Sequence, residues 1–228
     1  GLIIGGLSMT GVSLSLAREM VTALGGSVAL VLVAGALTSF VLGLGMTVSA
    51  VYVLLAIVLA PALVGMGIDP IAAHLFVIYW ATVSYITPPV GLAAFAAAGI
   101  AGTRPIPTSL TAMRLGAVKY VVPFCFVLDP ALVGRAPLPE VGLAVLFAVV
   151  GVVAMGCAFE GYLVGAEHPM GPFSRLVALG AGFAALTPGP VSSLVGLGAI
   201  VATALAVRFA GRRRGGHSED RSPTGTRV

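Results

Sequence analysis

The sequence predicts an all-α, polytopic membrane protein, and composition is the first observation behind that prediction. Mean hydropathy is +1.10, and 58% of the 228 residues are hydrophobic. Charged residues make up 9% of the chain, whereas a soluble domain has roughly 25%. Because a soluble globule of this length leaves a large share of its residues facing water, it could not hide so many apolar side chains. The chain is therefore expected to lie in a lipid bilayer.

The second observation is where the charges and cysteines lie. The net charge is +4, but five of the basic residues lie from Arg212 onward and most of the others lie between apolar segments. This distribution is typical of the loops and tails between membrane spans. It does not indicate a nucleic-acid partner. Cys125 and Cys157 lie inside apolar runs without CxxC spacing, so we expect them to be core residues. The sequence contains no HExxH or GxSxG motif that would suggest an enzyme.

The third observation is a pair of interruptions within long apolar stretches. We call Gly43–Ser49 the glycine break and Ser84–Gly91 the proline break. In hydrocarbon an unpaired backbone group costs several kcal/mol, so a broken helix persists only where protein or a polar cavity satisfies it. The two breaks therefore predict a binding site.

The glycine break joins two apolar segments, Ser27–Leu42 and Ser49–Val64. Each segment has about 16 residues, which as a helix spans roughly 24 Å. The pair could form one long kinked helix or a re-entrant hairpin that enters and leaves by the same membrane face. Glycine reaches positive φ without a Cβ clash, which favours the hairpin, with its tip at Gly43–Gly45.

The proline break predicts a discontinuous helix. A turn over Gly65–Pro70 places Asp69 before a proline, where the chain is biased away from helix. A helix is then expected over Ile71–Ile86, and Thr87-Pro88-Pro89 ends it. An alanine-rich helix resumes over Val90–Ala101.

The remaining chain predicts further spans and loops. The opening run, Gly1–Leu16, is too short for a crossing, and we expect a fragment or truncated gene product with upstream segments missing. Later helices are expected over Thr108–Leu128, Val141–Phe159, Phe173–Leu186 and Val191–Phe209, with loops at Asp129–Pro139 and Glu160–Pro172. The predicted domains are residues 1–130, residues 131–210, and a disordered tail over residues 211–228.

Topology follows from the positive-inside rule. Arg208 and the run Arg212–Arg214 predict a cytoplasmic C-terminus. Counting back through alternating crossings places Asp69 and the loop Asp129–Pro139 outside, with Arg104 inside.

An ordered set of motifs resembles the large membrane subunit of TRAP transporters, most closely the fused permease of the TAXI subgroup. The motifs are Leu42 to Tyr52, Ala60 to Leu63, Gly67 to Pro70, Ala73 to Phe76, Ile86 to Gly91 and Gly99 to Gly102. The match covers Gly1 to about Pro130. The chain from about Ala131 onward is more weakly similar to an additional C-terminal membrane region of unknown function.

The resemblance implies an inner-membrane permease that imports small organic acids. It also implies coupling to a cation, usually sodium, an elevator motion built on inverted repeats, and a TAXI-type extracytoplasmic solute-binding protein as partner. Two departures matter. Val48 stands where many relatives have a hydroxyl residue, and the first inverted repeat and small-subunit portion are not in this chain. Half of an inverted-repeat transporter is not expected to transport alone, so a non-transporting membrane scaffold or remnant is the alternative function.

The two breaks supply the candidate site. Free carbonyls and hydroxyls suit a sodium ion, and helix N-termini suit a carboxylate. The candidate substrate- or ion-binding residues are Gly43, Gly45, Thr47, Ser49, Ser84, Thr87, Pro88, Pro89 and Gly91. No other metal and no cofactor is predicted.

Each candidate has a simpler structural interpretation. Gly43 and Gly45 could be a packing notch, and Thr87-Pro88-Pro89 a proline kink. His74 is expected to be interfacial or internally hydrogen-bonded instead of a proton relay. Asp69 is expected to be a turn residue instead of a docking contact for the binding protein. Arg114 and Lys119 are expected to snorkel to the cytoplasmic interface instead of binding substrate. Glu160, Glu167 and His168 are expected to form a solvated loop instead of a metal site.

Overall fold

The computed structural model describes residues 5–6, 9–162 and 170–215, and in these residues the prediction of an all-α protein is confirmed. Short 3-10 helices lie at Ala117–Tyr120 and Pro130–Val133. The α-helices that we number are α1 Val12–Ala23, α2 Val28–Gly45, α3 Val48–Gly65, α4 Pro70–Val83, α5 Leu92–Ala101, α6 Pro105–Leu115, α7 Val122–Leu128, α8 Leu138–Glu160, α9 Pro172–Leu186 and α10 Pro190–Gly215. The chain divides into two compact units, Gly1–Gly142 and Leu143–Val228. The functional boundary expected near residue 130 stays a prediction.

Helices α2 and α3 fold back on each other. A Cβ added at Gly35 would lie 2.8 Å from Cδ2 of Leu59. Gly35 lies 12 residues before Thr47 and Leu59 lies 12 residues after it. In one continuous helix these two residues would be about 36 Å apart. The hairpin is therefore confirmed over the kinked helix.

The reason we gave for the hairpin was wrong. Helix α2 continues through Gly43 and Gly45, and the turn is made by Met46 and Thr47. Neither glycine has a positive φ. Thr47 begins α3 by accepting a hydrogen bond on its Oγ1 from Ala50 N, at 3.4 Å, so a threonine cap makes this turn.

Helices α2 and α3 have 18 residues each, or about 27 Å of helix. Both are long and apolar enough to cross a membrane, as is α8 with 23 residues. That the α2–α3 hairpin re-enters by the same face stays a prediction.

The core of the first unit is formed by α2, α3 and α4. Phe76, Leu59 and Leu63 are among its largest fully buried side chains. Helix α4 ends at Val83 and α5 begins at Leu92, so the predicted discontinuous helix is confirmed. The break is a few residues longer than expected, because α4 stops before Ser84.

The segment Thr108–Leu128, expected as a single span, is bent, and that it crosses the membrane stays a prediction. Helix α6 ends at Leu115, and the segment Ala117–Leu128 continues at an angle of 69° to it. Gly116 is the joint, and a Cβ there would lie 2.7 Å from Cδ1 of Ile86. A glycine at this point lets the bent segment approach the proline break closely.

Asp69 is a turn residue, as predicted, and begins α4. Its Oδ1 accepts hydrogen bonds from the backbone N–H groups of Ile71 and Ala72, at 2.8 and 3.4 Å. Its Oδ2 lies 3.1 Å from Nε of Arg135. The ion pair joins two stretches for which the charge pattern predicts the same membrane face.

Helix α1 runs from Val12 to Ala23, through Arg18 and Glu19, and so extends past the apolar opening run Gly1–Leu16. At the other terminus α10 continues to Gly215, past the expected end at Phe209. The disordered tail was predicted over residues 211–228; α10 covers residues 211–215, and residues 216–228 lie outside the described residues.

The second unit packs its helices through glycine. A Cβ at Gly151 would lie 2.8 Å from the carbonyl oxygen of Gly182, and one at Gly196 would lie 2.5 Å from the backbone N of Ala185. Small residues let helix backbones touch in this way. Arg175 of α9 donates from Nε to Ala158 O, at 2.8 Å, and from Nη2 to Phe159 O, at 2.6 Å. A cation thereby caps the C-terminal carbonyls of α8.

Candidate functional site

The glycine break and the proline break meet at Gly43. A Cβ at this residue would lie 2.8 Å from Ala81 O and 3.0 Å from Oγ of Ser84. Gly43 and Ser84 are both buried. The last turn of α2 therefore presses its backbone directly on the last turn of α4.

Three polar side chains bind the last carbonyls of α4. Ser84 donates its hydroxyl to Ala81 O, at 2.8 Å. The Lys119 ammonium donates to Thr82 O, at 3.3 Å. The Thr87 hydroxyl donates to Val83 O, at 2.8 Å. Carbonyls that a helix end leaves without intrahelical partners are thus satisfied by side chains.

The carbonyls that follow are satisfied as well. Ser84 O accepts from Thr87 N, Tyr85 O from Ala93 N, Ile86 O from the Ser109 hydroxyl, and Thr87 O from Gly91 N, at 3.4, 3.1, 2.9 and 3.0 Å. Thr82 O and Val83 O each accept a second hydrogen bond, from Tyr85 N and Ile86 N. A carbonyl oxygen has two lone pairs, so these two carbonyls are fully used.

The bent segment from α6 to α7 braces the proline break. The Tyr120 hydroxyl lies 2.7 Å from Oγ1 of Thr87. Since Thr87 uses its hydrogen for Val83 O, Tyr120 is the donor of this pair. Gly91 has φ 36° and caps α5, and a Cβ there would lie 2.5 Å from Oγ of Ser109. Both its backbone conformation and its neighbour require glycine.

The glycine break is open by comparison. Its last i to i−4 hydrogen bond runs from Met46 N to Leu42 O, at 3.0 Å. The carbonyls of Gly43, Leu44 and Gly45 lie beyond that bond, at the C-terminal end of α2, which carries the negative end of the helix dipole. Gly45, Thr47 and Ser49 are exposed.

The candidate residues thus separate into three groups. Gly43 and Ser84 contact each other, whereas Thr87 and Gly91 contact the bent segment. Pro88 and Pro89 lie between Thr87 and Gly91 in the chain, joined by a cis peptide bond. Gly45, Thr47 and Ser49 lie on the exposed side of the hairpin turn.

Sequence reasoning missed Ser109, Gly116 and Tyr120, and it did not predict the contact that Lys119 makes with α4. The Lys119 ammonium donates to a backbone carbonyl near the proline break, and its snorkelling to the cytoplasmic interface stays a prediction. A glycine and a lysine in the middle of one apolar segment, at Gly116 and Lys119, were the available signal that this segment is not an ordinary span.

Helix α4 also carries two polar aromatic side chains, His74 and Trp80, which are both partly buried. The Nδ1 atom of His74 lies 3.2 Å from the Tyr52 hydroxyl, so the prediction of an internally hydrogen-bonded histidine is confirmed. The Trp80 indole N–H is buried and, within the described part of the chain, has no hydrogen-bond partner. Its ring packs edge-to-face on Tyr120 and Phe124.

Metal-binding clusters of three or more His, Cys, Asp or Glu side chains are absent from the residues that the structure describes. Cys125 and Cys157 are buried free cysteines, as predicted. Of the loop residues discussed above, Glu167 and His168 lie outside the described residues.

Comparisons with known proteins point to one family. Curated proteins and solved structures each gave no match. The family model described as tripartite ATP-independent periplasmic transporter, DctM component, matches residues 1–141, which is more than half of the 228 residues. The chain therefore belongs to the DctM family, the large membrane permease component of TRAP transporters.

Proposed function

We propose that this chain is part of a permease that imports small organic acids together with a sodium ion and receives them from an extracytoplasmic binding protein of the TAXI type. The observation that carries the proposal is the direct contact of the glycine break with the proline break at Gly43 and Ser84. Two broken helices that meet inside an apolar unit are the arrangement in which secondary transporters bind substrate and coupling ion. Sodium and the TAXI partner come from the resemblance of the motifs.

The glycine break is the better candidate for the sodium ion. Carbonyls of Gly43, Leu44 and Gly45 lie at the negative end of the α2 dipole, and hard cations prefer oxygen ligands. The Thr47 and Ser49 hydroxyls follow within one turn. Val48 contributes no hydroxyl, so backbone oxygens would supply much of the coordination.

The carboxylate would bind where hydrogen-bond donors are available. Helix α5 begins at the proline break with Gly91 as its cap, and the backbone N–H groups of a helix N-terminus attract anions. The Trp80 N–H supports the same assignment, because it is a buried donor without a partner in the described chain. An acid that reached it would satisfy that donor.

A scaffold without transport activity is the second candidate. The observation that favours it is the complete pairing of the carbonyls from Ala81 to Thr87. A proline break whose backbone is fully satisfied by protein needs no ligand to persist in a membrane.

Uptake into proteoliposomes separates the two functions. The full-length permease and its binding protein would be reconstituted, and uptake of labelled C4 and C5 dicarboxylates measured with and without a sodium gradient. Ser49→Ala and Thr87→Ala are the test variants. Thr111→Ala is the matched control, because its exposed hydroxyl bonds within α6, to Pro107 O at 3.0 Å.

We expect sodium-dependent uptake that both test variants weaken and the control leaves unchanged. Unchanged uptake in both test variants would move the ligands to backbone groups. If a folded and assembled preparation takes up no organic acid, the scaffold function replaces the transporter.

A further inference from the structure

The Lys119 ammonium occupies an unusual position for a charged group in an apolar unit. It belongs to the 3-10 helix Ala117–Tyr120 at the bend after α6, and it is partly buried. Its partner is the backbone carbonyl of Thr82, at 3.3 Å, and not a carboxylate. Ionisable groups inside membrane segments are costly and are rare without a function.

The position of Thr82 explains what this charge does locally. Thr82 lies in the last turn of α4, where carbonyl groups form the negative end of the helix dipole. Such an end is where a free cation binds in other discontinuous helices. Lys119 thus places a positive charge where a sodium ion would be expected to bind.

The carbonyl oxygens at the end of α4 have no lone pair left for a sodium ion in addition to the Lys119 ammonium. Thr82 O accepts from Lys119 and Tyr85 N, and Val83 O accepts from Thr87 and Ile86 N. Both lone pairs of each oxygen are used. A free ion could bind Thr82 O only after the ammonium had left.

We propose that Lys119 is a tethered cation that takes the place of a sodium ion at the α4 end of the proline break. This inference rests on the proposed function for the nature of the site. Its consequence is a division of labour: the α4 end is neutralised by a charge that never leaves the protein, and exchangeable sodium binds at the glycine break.

Counting bound sodium ions tests this directly, without substrate or transport. Binding of radiolabelled sodium to the purified full-length permease would be measured by equilibrium dialysis for the wild type, Lys119→Met and Lys119→Arg. Methionine keeps an apolar stem of similar length and removes the charge, whereas arginine keeps the charge.

We expect Lys119→Met to bind about one more sodium ion per permease than the wild type, and Lys119→Arg to bind the wild-type number. Arg135→Met is the control for loss of a cation elsewhere, because Arg135 pairs with Asp69 away from both breaks, and its count should not change. A folded Lys119→Met permease with the wild-type sodium count would overturn the proposal.

Folding is checked by monodisperse elution and by the thermal unfolding midpoint. If Lys119→Met does not fold, Lys119→Leu replaces it, since leucine also removes both the charge and the hydrogen bond to Thr82 O. Because the count needs no substrate, a permease that transports nothing would still give a clear answer about Lys119, and the two proposals can fail separately.

Discussion

The two breaks look alike in sequence and differ in structure. Both interrupt apolar helices with residues that disfavour regular helix. At the proline break the carbonyls from Ala81 to Thr87 are all paired, whereas at the glycine break the carbonyls of Gly43 to Gly45 extend past the last helical bond. A break in a helix therefore frees backbone groups only where no neighbouring segment reaches them.

The difference has a physical origin in what surrounds each break. The bent segment brings hydroxyls and an ammonium to the proline break through Ser109, Lys119 and Tyr120. The glycine break contacts the end of α4 through Gly43, which lies against Ala81 O and the Ser84 side chain, and its turn residues Met46 and Thr47 are exposed. We interpret the first as a rigid wall of the site and the second as the part that exchanges ions.

The largest effect is expected where the two breaks touch. Gly43→Ala would place a methyl group 2.8 Å from a backbone oxygen and 3.0 Å from Oγ of Ser84, and overpacking of this kind costs about 1 to 3 kcal/mol. Gly45→Ala is the matched control, because nothing lies within 4 Å of its Cβ position. Thermal unfolding of the purified permease should show a lower midpoint for Gly43→Ala and little change for Gly45→Ala. Equal midpoints for the two variants would mean that the breaks do not press together.

The next effect concerns the rigid wall. Thr87→Val removes the acceptor of the Tyr120 hydroxyl, and a buried group left unpaired costs about 1 to 3 kcal/mol. Tyr120→Phe removes the other partner. A double-mutant cycle measured by denaturant unfolding should give a coupling of about 1 kcal/mol. Strict additivity of the two variants would contradict the hydrogen bond on which the wall depends.

A smaller effect is expected at the glycine break. Thr47→Ala removes the cap of α3, and because the hydrogen bond is long and exposed the loss should be near the low end of the usual range, about 0.5 kcal/mol. If Thr47 also contacts sodium, the sodium concentration for half-maximal uptake should rise severalfold. Thr47→Ser should behave as the wild type. A change in stability without a change in sodium dependence would assign Thr47 to the cap alone.

The smallest effect should come from a charge pair outside both breaks. Asp69→Asn keeps an N-cap acceptor but loses the ion pair with Arg135, whose side chain is 52% exposed. Exposed pairs contribute about 0 to 1 kcal/mol, so unfolding should change by a few tenths at most. Asp69→Ala, which loses the cap too, should be clearly less stable. A large loss in Asp69→Asn would show that the pair does more than join two loops.

Much of the fold could be predicted from sequence because a bilayer imposes simple rules. Apolar length and the two breaks predicted the α2–α3 hairpin and the discontinuous α4–α5 helix. The position of the hairpin turn was missed by a few residues, although Thr47 carried an N-cap signal. The bend at Gly116 was missed because a single glycine in an apolar span is common and usually leaves the helix straight.

The candidate site was harder to predict. Which carbonyl finds which partner depends on packing between segments that are distant in the chain, such as Thr82 with Lys119 or Ile86 with Ser109. No local pattern encodes such pairings. The residue types at the breaks suggested a site, but only the packing distinguished the satisfied break from the open one.

The fit of Gly35 against Leu59 sets a rule for how this hairpin can vary. The two residues are equidistant from Thr47, so Leu59 packs on Gly35 only while α2 and α3 keep equal numbers of residues between this contact and the turn. One residue inserted into only one of the two helices would rotate the helix beyond it by about 100° and bring a different side chain to this contact. The lengths of α2 and α3 are thus coupled. We expect that tolerated insertions or deletions in this hairpin occur in pairs, one in each helix, because only then is the contact of Gly35 with Leu59 kept while the turn moves.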